Sequence, residues 1–305
     1  MTGTESPTLL VAGDSRVDAG KTTFSVGLLA TLSADGADPV GVKPRAGHDF
    51  WYDHDDFRAA VADRRLYGTD ARRLAAASDR GLANRSDSTG STPVAPEFIN
   101  PLHRLWRPTP GRTGLLGEAD RTFLCDRLGG AGNGDPTLVV NGAAEEAGLL
   151  PPTVADRLPL SEAPRVHDVS GFNEVMASSY LPVFERFAAA VAADPGPVVV
   201  ESYGDIALPF EAGAGAGDAP TIDAVAVVAP TRVRVYDGGR YRRACTVAAG
   251  SAREGALEEH TDAVTSMVEP LGTVDLPALP GDARSSPDRV ASAYADAYTT
   301  LLEAV

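Results

Sequence analysis

The sequence predicts an α/β fold built on a doubly wound, mostly parallel sheet. Three observations carry this prediction. Short apolar runs at 9–12, 40–43, 137–141, 197–200, 223–228 and 272–276 alternate with helical patterns, the order that crossover helices on a parallel sheet require. The 305 residues suffice for one large domain, read as spanning 1–305 with a surface insertion at about 78–96. The first strand passes through a glycine-containing loop straight into an apolar helix at 24–32.

That opening stretch is the strongest local signal. Strand, loop, Gly20-Lys21-Thr22 and helix is the order of a phosphate-binding loop. Backbone amides from Ser15, Arg16, Val17, Asp18, Ala19, Gly20, Lys21, Thr22 and Thr23 can wrap an anion at the helix N-terminus. Lys21 then reaches the outer phosphates, and the Thr22 hydroxyl can ligate Mg²⁺. The usual spacing puts the first glycine at position 15, which is Ser15, and the nearest glycine is Gly13. An ordinary strand-to-helix turn capped by Asp18 is the plainer alternative.

Further on, 38–43 reads as a second strand stopped by Pro44, and 46–56 as a polar, aromatic loop. Helical patterning follows at 57–65 and 70–77, then the Ser-, Asp-, Gly- and Pro-rich insertion. The stretch 100–110 reads as a loop, 121–125 and 137–141 as strands, and 172–193 as a long amphipathic helix. A glycine-rich segment at 213–217 separates two apolar strands. Asp237-Gly238-Gly239 predicts a hairpin over about 232–244. Helices at 257–268 and 287–304 flank the last strand.

Composition narrows the function. Asp plus Glu is 42 against 27 Lys plus Arg, a formal charge of −15, which argues against nucleic-acid binding. Two cysteines without metal-type spacing, no leader pattern and no membrane-length apolar run predict a cytoplasmic protein with no membrane partner. Lysine is nearly absent: Lys21 and Lys43 are the only two. In this the chain resembles proteins of salt-loving archaea. Lysines that survive such depletion mark places where a compact ammonium is needed.

Lys43 and Glu201 end predicted strands, and ligands in such sheets bind beyond the carboxyl ends. Glu201 can ligate Mg²⁺ there, or be a surface acid. Asp70 can be a third site residue or a helix cap. The cluster His48, Asp49, Asp53, His54, Asp55 and Asp56 holds metal-ligand types, yet in an acidic chain such a run is as readily a solvated loop. His103, Arg104 and Arg107 can contact an anion with Trp106 as a wall, or Trp106 can simply pack the loop.

Taken in order, these stretches resemble the dethiobiotin synthetase-like family of P-loop NTPases. Gly13 to Thr23 is similar to that family's phosphate loop, which also lacks the standard first glycine, with one residue more here between Gly13 and Gly20. Val42-Lys43-Pro44 and Gly47 resemble its Lys-Pro motif, Thr69-Asp70-Ala71 its Ser-Asp-Ala motif, and Ile99-Asn100-Pro101 its Asn-Pro segment. Val199-Val200-Glu201 resembles its acid-ended strand, and Leu276-Pro277 to Pro280 its late proline loop. The chain departs from the family at Ser202-Tyr203-Gly204-Asp205, which replaces a glycine run, and between Val228 and Val235, where no base-reading asparagine stands.

The resemblance implies a P-loop NTPase sheet and an enzyme using ATP or GTP with Mg²⁺. Lys21 and Lys43 would be catalytic, with Thr22, Asp70 and Glu201 around the metal. It implies phosphoryl transfer to a carboxylate or carbamate of a small molecule, with a carboxylate or amine as substrate, in a ligase-type reaction. The alternative is a regulatory or maturation NTPase whose nucleotide state controls dimerisation or partner binding. Arg16 stands where MinD-like relatives place a dimer-crossing lysine, so a homodimer is expected. A polynucleotide kinase is a third idea, opposed by the acidic charge.

Overall fold

The computed structural model describes residues 6–15, 19–82, 94–129, 136–210, 219–248 and 259–305. It is an α/β protein with two mixed sheets. Among the described residues no helix is long and apolar enough to cross a membrane.

The first sheet has six strands. Strand β1 (Thr8–Gly13) lies at its centre, parallel to β8 (Val198–Glu201) on one side and to β9 (Ala224–Ala229) on the other. Strand β2 (Val40–Val42) runs parallel outside β8, while β10 (Arg232–Asp237) and β11 (Gly272–Asp275) are antiparallel at the far edge. Strands β1, β8 and β9 are buried along their whole length, which explains their unbroken Val, Leu and Ala runs. The register sets Val11 beside Glu201 and Val42 beside Val200. Gly13, Glu201 and Lys43 therefore leave the sheet on the same edge.

Helix α1 (Lys21–Ala34) packs on this sheet with α3 (Thr69–Ala77), α12 (Pro287–Ala293) and α13 (Ala295–Leu302). The buried Tyr298 hydroxyl donates to the Phe24 carbonyl at 3.0 Å, fixing α13 to the first turns of α1.

The second sheet has the order β3 (Arg45–Asp49), β4 (Leu102–Thr113), β5 (Ala119–Leu128), β6 (Thr137–Asn141) and β7 (Arg165–Val166). Only Lys43 and Pro44 separate β2 from β3, so the chain steps from one sheet to the other at the lysine. One apolar cluster gathers Phe57, Leu105, Leu124 and Val140, and another Trp106, Phe123, Phe172 and Tyr180.

Several local expectations change. The predicted loop at 46–56 is mostly β3 and the start of α2 (His54–Ala62), and that at 100–110 is β4. The prolines of β4 misled the reading. Pairing with β3 ends at Asp49 and Trp106, so Pro108 and Pro110 fall where β4 has a neighbour on one side only and a missing N–H is tolerated. The hairpin at 232–244 is corrected too. The chain reverses between β9 and β10 at Pro230-Thr231, where Thr231 has φ +71°. Asp237 instead starts α9 (Gly238–Ala248), its carboxylate accepting from the Arg240 N–H at 2.7 Å. An Asp before Gly-Gly serves a turn or a helix start equally well.

The helix at 172–193 is three pieces: α7 (Val169–Val175), a π-turn (Met176–Tyr180) and α8 (Leu181–Ala192). Pro182 lacks an N–H and crowds the preceding turn, which widens it. The last helix breaks into α12 and α13 at Tyr294. Of the helix expected at 257–268, α10 (Thr261–Thr265) is seen. The 213–217 glycine segment, 257–258 and most of the 78–96 insertion lie outside the described residues.

Candidate functional site

A cleft of about 640 Å³ opens between the two sheets. One wall is the start of α1. Gly20 adopts φ +82°, a left-handed conformation suited to glycine, and turns the chain into the helix. The first amides of any helix lack partners within it, so this end of α1 is disposed towards an anion. Gly13 is explained by contact. A Cβ there would stand 2.7 Å from the Gly204 carbonyl and 2.8 Å from Lys21 Nζ. The lysine folds back over the end of β1 and donates to that carbonyl at 2.7 Å. The loop thus needs its early glycine so that the Lys21 side chain can lie across it. Ser15 and Ala19 flank residues 16–18; Arg16, Val17 and the suggested cap Asp18 lie outside the described residues.

Beyond α1 the site is a compact charge cluster. Thr22 Oγ1 donates to Glu201 Oε1 at 2.8 Å. Lys43 Nζ donates to that same oxygen and, at 2.9 Å, to Asp70 Oδ2. Glu201 is wholly buried and Lys43 nearly so, whereas the Asp70 side chain is half exposed. Burial alone would lower the Lys43 pKa, but the charges of Asp70 and Glu201 outweigh it and hold the ammonium above its ordinary value. Crowding raises Asp70, and the nearby lysine more than reverses this, holding its carboxyl below the usual range. Asp70 sits in the first turn of α3 rather than at its cap, which is Gly68. Glu201 Oε2 is buried and has no hydrogen-bond partner among the described residues.

The donor set suits a hard divalent cation: a hydroxyl, two carboxylates and one spare buried carboxylate oxygen. The Lys43 ammonium bridges the two acids where such a cation would be held.

The opposite wall belongs to the second sheet. The acidic stretch is solvent-exposed over 51–55, as the solvated alternative expected, while His48 and Asp49 are buried and several of its carboxylates are engaged locally. Asp49 Oδ1 accepts from the Trp51 N–H at 2.8 Å, Asp53 Oδ2 accepts from the Asp49 N–H at 2.8 Å, and Asp56 holds Thr69 at the start of α3. Among the described residues no group of three or more His, Cys, Asp or Glu side chains could hold a metal. Arg104 is turned away into a paired contact with Asp126 at 2.7 and 2.6 Å, and Arg107 donates to the Leu149 carbonyl. Trp106 is buried beneath Arg121, whose guanidinium lies 4.2 Å from its ring.

Sequence reasoning did not pair His48 with His103. Their rings meet at 2.7 Å, Nδ1 to Nε2, in the cleft that Lys43 also lines. Asn100 ties this wall to the charged centre, its side-chain amide donating to the carbonyls of Lys43 and Leu102, both at 2.7 Å. Arg73 and Arg121 also line the cleft. No family model, curated protein or solved structure matches the chain.

Proposed function

We propose that the chain is an Mg²⁺-dependent P-loop ATPase or GTPase on a doubly wound sheet, of the dethiobiotin synthetase-like kind, transferring the γ-phosphoryl group to a carboxylate or carbamate of a small molecule. One observation carries the reading: Lys21, Thr22, Lys43 and Asp70 line one cleft beyond the carboxyl ends of the parallel strands β1, β2 and β8, with Glu201 buried behind them on Thr22 and Lys43. The α1 amides and Lys21 would hold the β- and γ-phosphates. Thr22, Asp70 and Glu201 would hold the metal, which supplies charge neutralisation on the phosphoryl oxygens. Lys43 would release the acids and place its ammonium against the transferring group, an electrostatic role.

The test is binding and turnover of ATP and GTP with MgCl₂. Lys21→Ala should lose binding. Lys43→Gln, shown folded by circular dichroism, should bind nucleotide and lose turnover. Full hydrolysis by the Lys43 variant would remove that residue from the mechanism, and no binding by the native chain would remove the reading itself.

A further inference from the structure

We propose that His48 and His103 form a proton relay in the cleft, serving a second substrate whose attacking atom arrives with a proton, an amine or a hydroxyl. The inference rests on the NTPase reading and extends it to the acceptor.

Three observations support it. The pair is joined by one hydrogen bond, His48 Nδ1 to His103 Nε2. Both rings line the cleft, yet each is at least nine-tenths buried. Their outer nitrogens, His48 Nε2 and His103 Nδ1, are buried with no partner among the described residues. Two neutral imidazoles sharing one proton offer one N–H and one lone pair at their outer ends. Structural histidines usually satisfy those ends; these two, whose rings line the cleft, do not among the described residues.

The surroundings set a direction. Burial lowers both pKa values, His48 to about 4 and His103 well below its ordinary value. Asp56 and Asp53 oppose the drop at His48, whereas His48, Arg127 and Lys43 deepen it at His103. A proton is therefore most comfortable at the His48 end, beside the acids. The productive tautomer has His103 Nε2–H donating to His48 Nδ1. The nucleophile X–H attacks the phosphorus held near Lys43. The X–P bond forms, the bridging P–O bond breaks, and its electron pair leaves on the nucleoside diphosphate. The proton of X–H passes to His103 Nδ1, the shared proton moves to His48 Nδ1, and the His48 Nε2 proton departs towards Asp53, Asp56 and solvent. Each ring gains one proton and gives one up. Where a carboxylate is phosphorylated first, the same path takes the proton of the amine that then displaces phosphate from the acyl carbon.

Two measurements test this. Long-range ¹H–¹⁵N imidazole spectra should show, among the five histidines, two that stay neutral as Nε2–H tautomers at pH 5.5 and that vanish from the His48→Gln and His103→Gln proteins. A charged ring at either position overturns the proposal without any nucleotide. Turnover of Mg-ATP and Mg-GTP is then measured with water as nucleophile, and with added ethanolamine, ³¹P spectra separating inorganic phosphate, O-phosphate and phosphoramidate. His103→Gln keeps the hydrogen bond to His48 but cannot pass a proton. It should lose about 100-fold in rate to either nucleophile at unchanged nucleotide Kd. The curved proton inventory of a two-proton transfer in D₂O should vanish with it. An unchanged rate, or a linear inventory in the native chain, overturns the relay alone. Absence of nucleotide binding by the native chain overturns the relay together with the NTPase reading.

Discussion

The two walls of the cleft handle buried polarity in opposite ways. Beside the six-stranded sheet, Lys43 keeps its charge by pairing with Glu201 and Asp70; on the five-stranded sheet, burial drives charge off His48 and His103. The difference follows from residue type. A lysine beside two carboxylates gains more from them than burial costs, whereas an imidazole with a pKa near neutrality yields its proton first. The charged wall suits binding and neutralising an anion. The neutral wall suits taking and passing protons.

The comparison breaks most visibly if the charged wall loses its cation. Lys43→Met leaves Glu201, which has no exposed surface, with the Thr22 hydroxyl as its remaining hydrogen-bond partner among the described residues. Removing one partner of a buried pair costs about 3–5 kcal/mol. Urea denaturation should show a loss of that size, and Lys43→Met with Glu201→Gln should recover more than half of it. Equal stability of the single and double variants would mean the carboxylate is not stranded.

The neutral wall is tested by acid. His48 is lowered to about 4 from an ordinary 6.5. Between those values the unfolded chain binds a proton that the folded chain refuses, so stability falls as pH drops from about 6.5 to about 4 and is fully present above that window. The loss from His48 reaches about 3 kcal/mol at the acid end, and His103 adds in the same direction. Denaturation at pH 7 and pH 5 should show it, and the His48→Gln, His103→Gln protein should show much less. A native chain equally stable at both values would contradict a neutral pair.

The charged wall was legible in the sequence because its residue types are rare. Two lysines in 305 residues, Lys21 after Gly20 at the start of an apolar helix and Lys43 before Pro44 at a strand end, drew notice, and Glu201 closed a strongly apolar run. The neutral wall was not legible, because it depends on a pairing. His48 and His103 meet only because β3 lies parallel to β4 with Ala46 opposite His103. Prolines at 108 and 110 hid β4 and acidic residues around 53–56 hid β3, so the strands expected at 121–125 and 137–141 were not recognised as parts of a second sheet. Gly204 was invisible for a similar reason: its contribution is a backbone carbonyl receiving Lys21.

The smallest effects sharpen the same contrast through two buried tyrosines. Tyr180 donates to Asp126 Oδ2 at 2.6 Å, and Arg104 holds that carboxylate from the other side. Tyr298 donates to a neutral acceptor, the Phe24 carbonyl, at 3.0 Å. A hydrogen bond to a charged group contributes about 2 kcal/mol and one to a carbonyl about 1 kcal/mol. Tyr180→Phe should therefore cost about twice as much as Tyr298→Phe in the same denaturation series. The reverse order would show that Arg104 alone satisfies Asp126, making the Arg104–Asp126 pair self-sufficient and the tyrosine a packing residue.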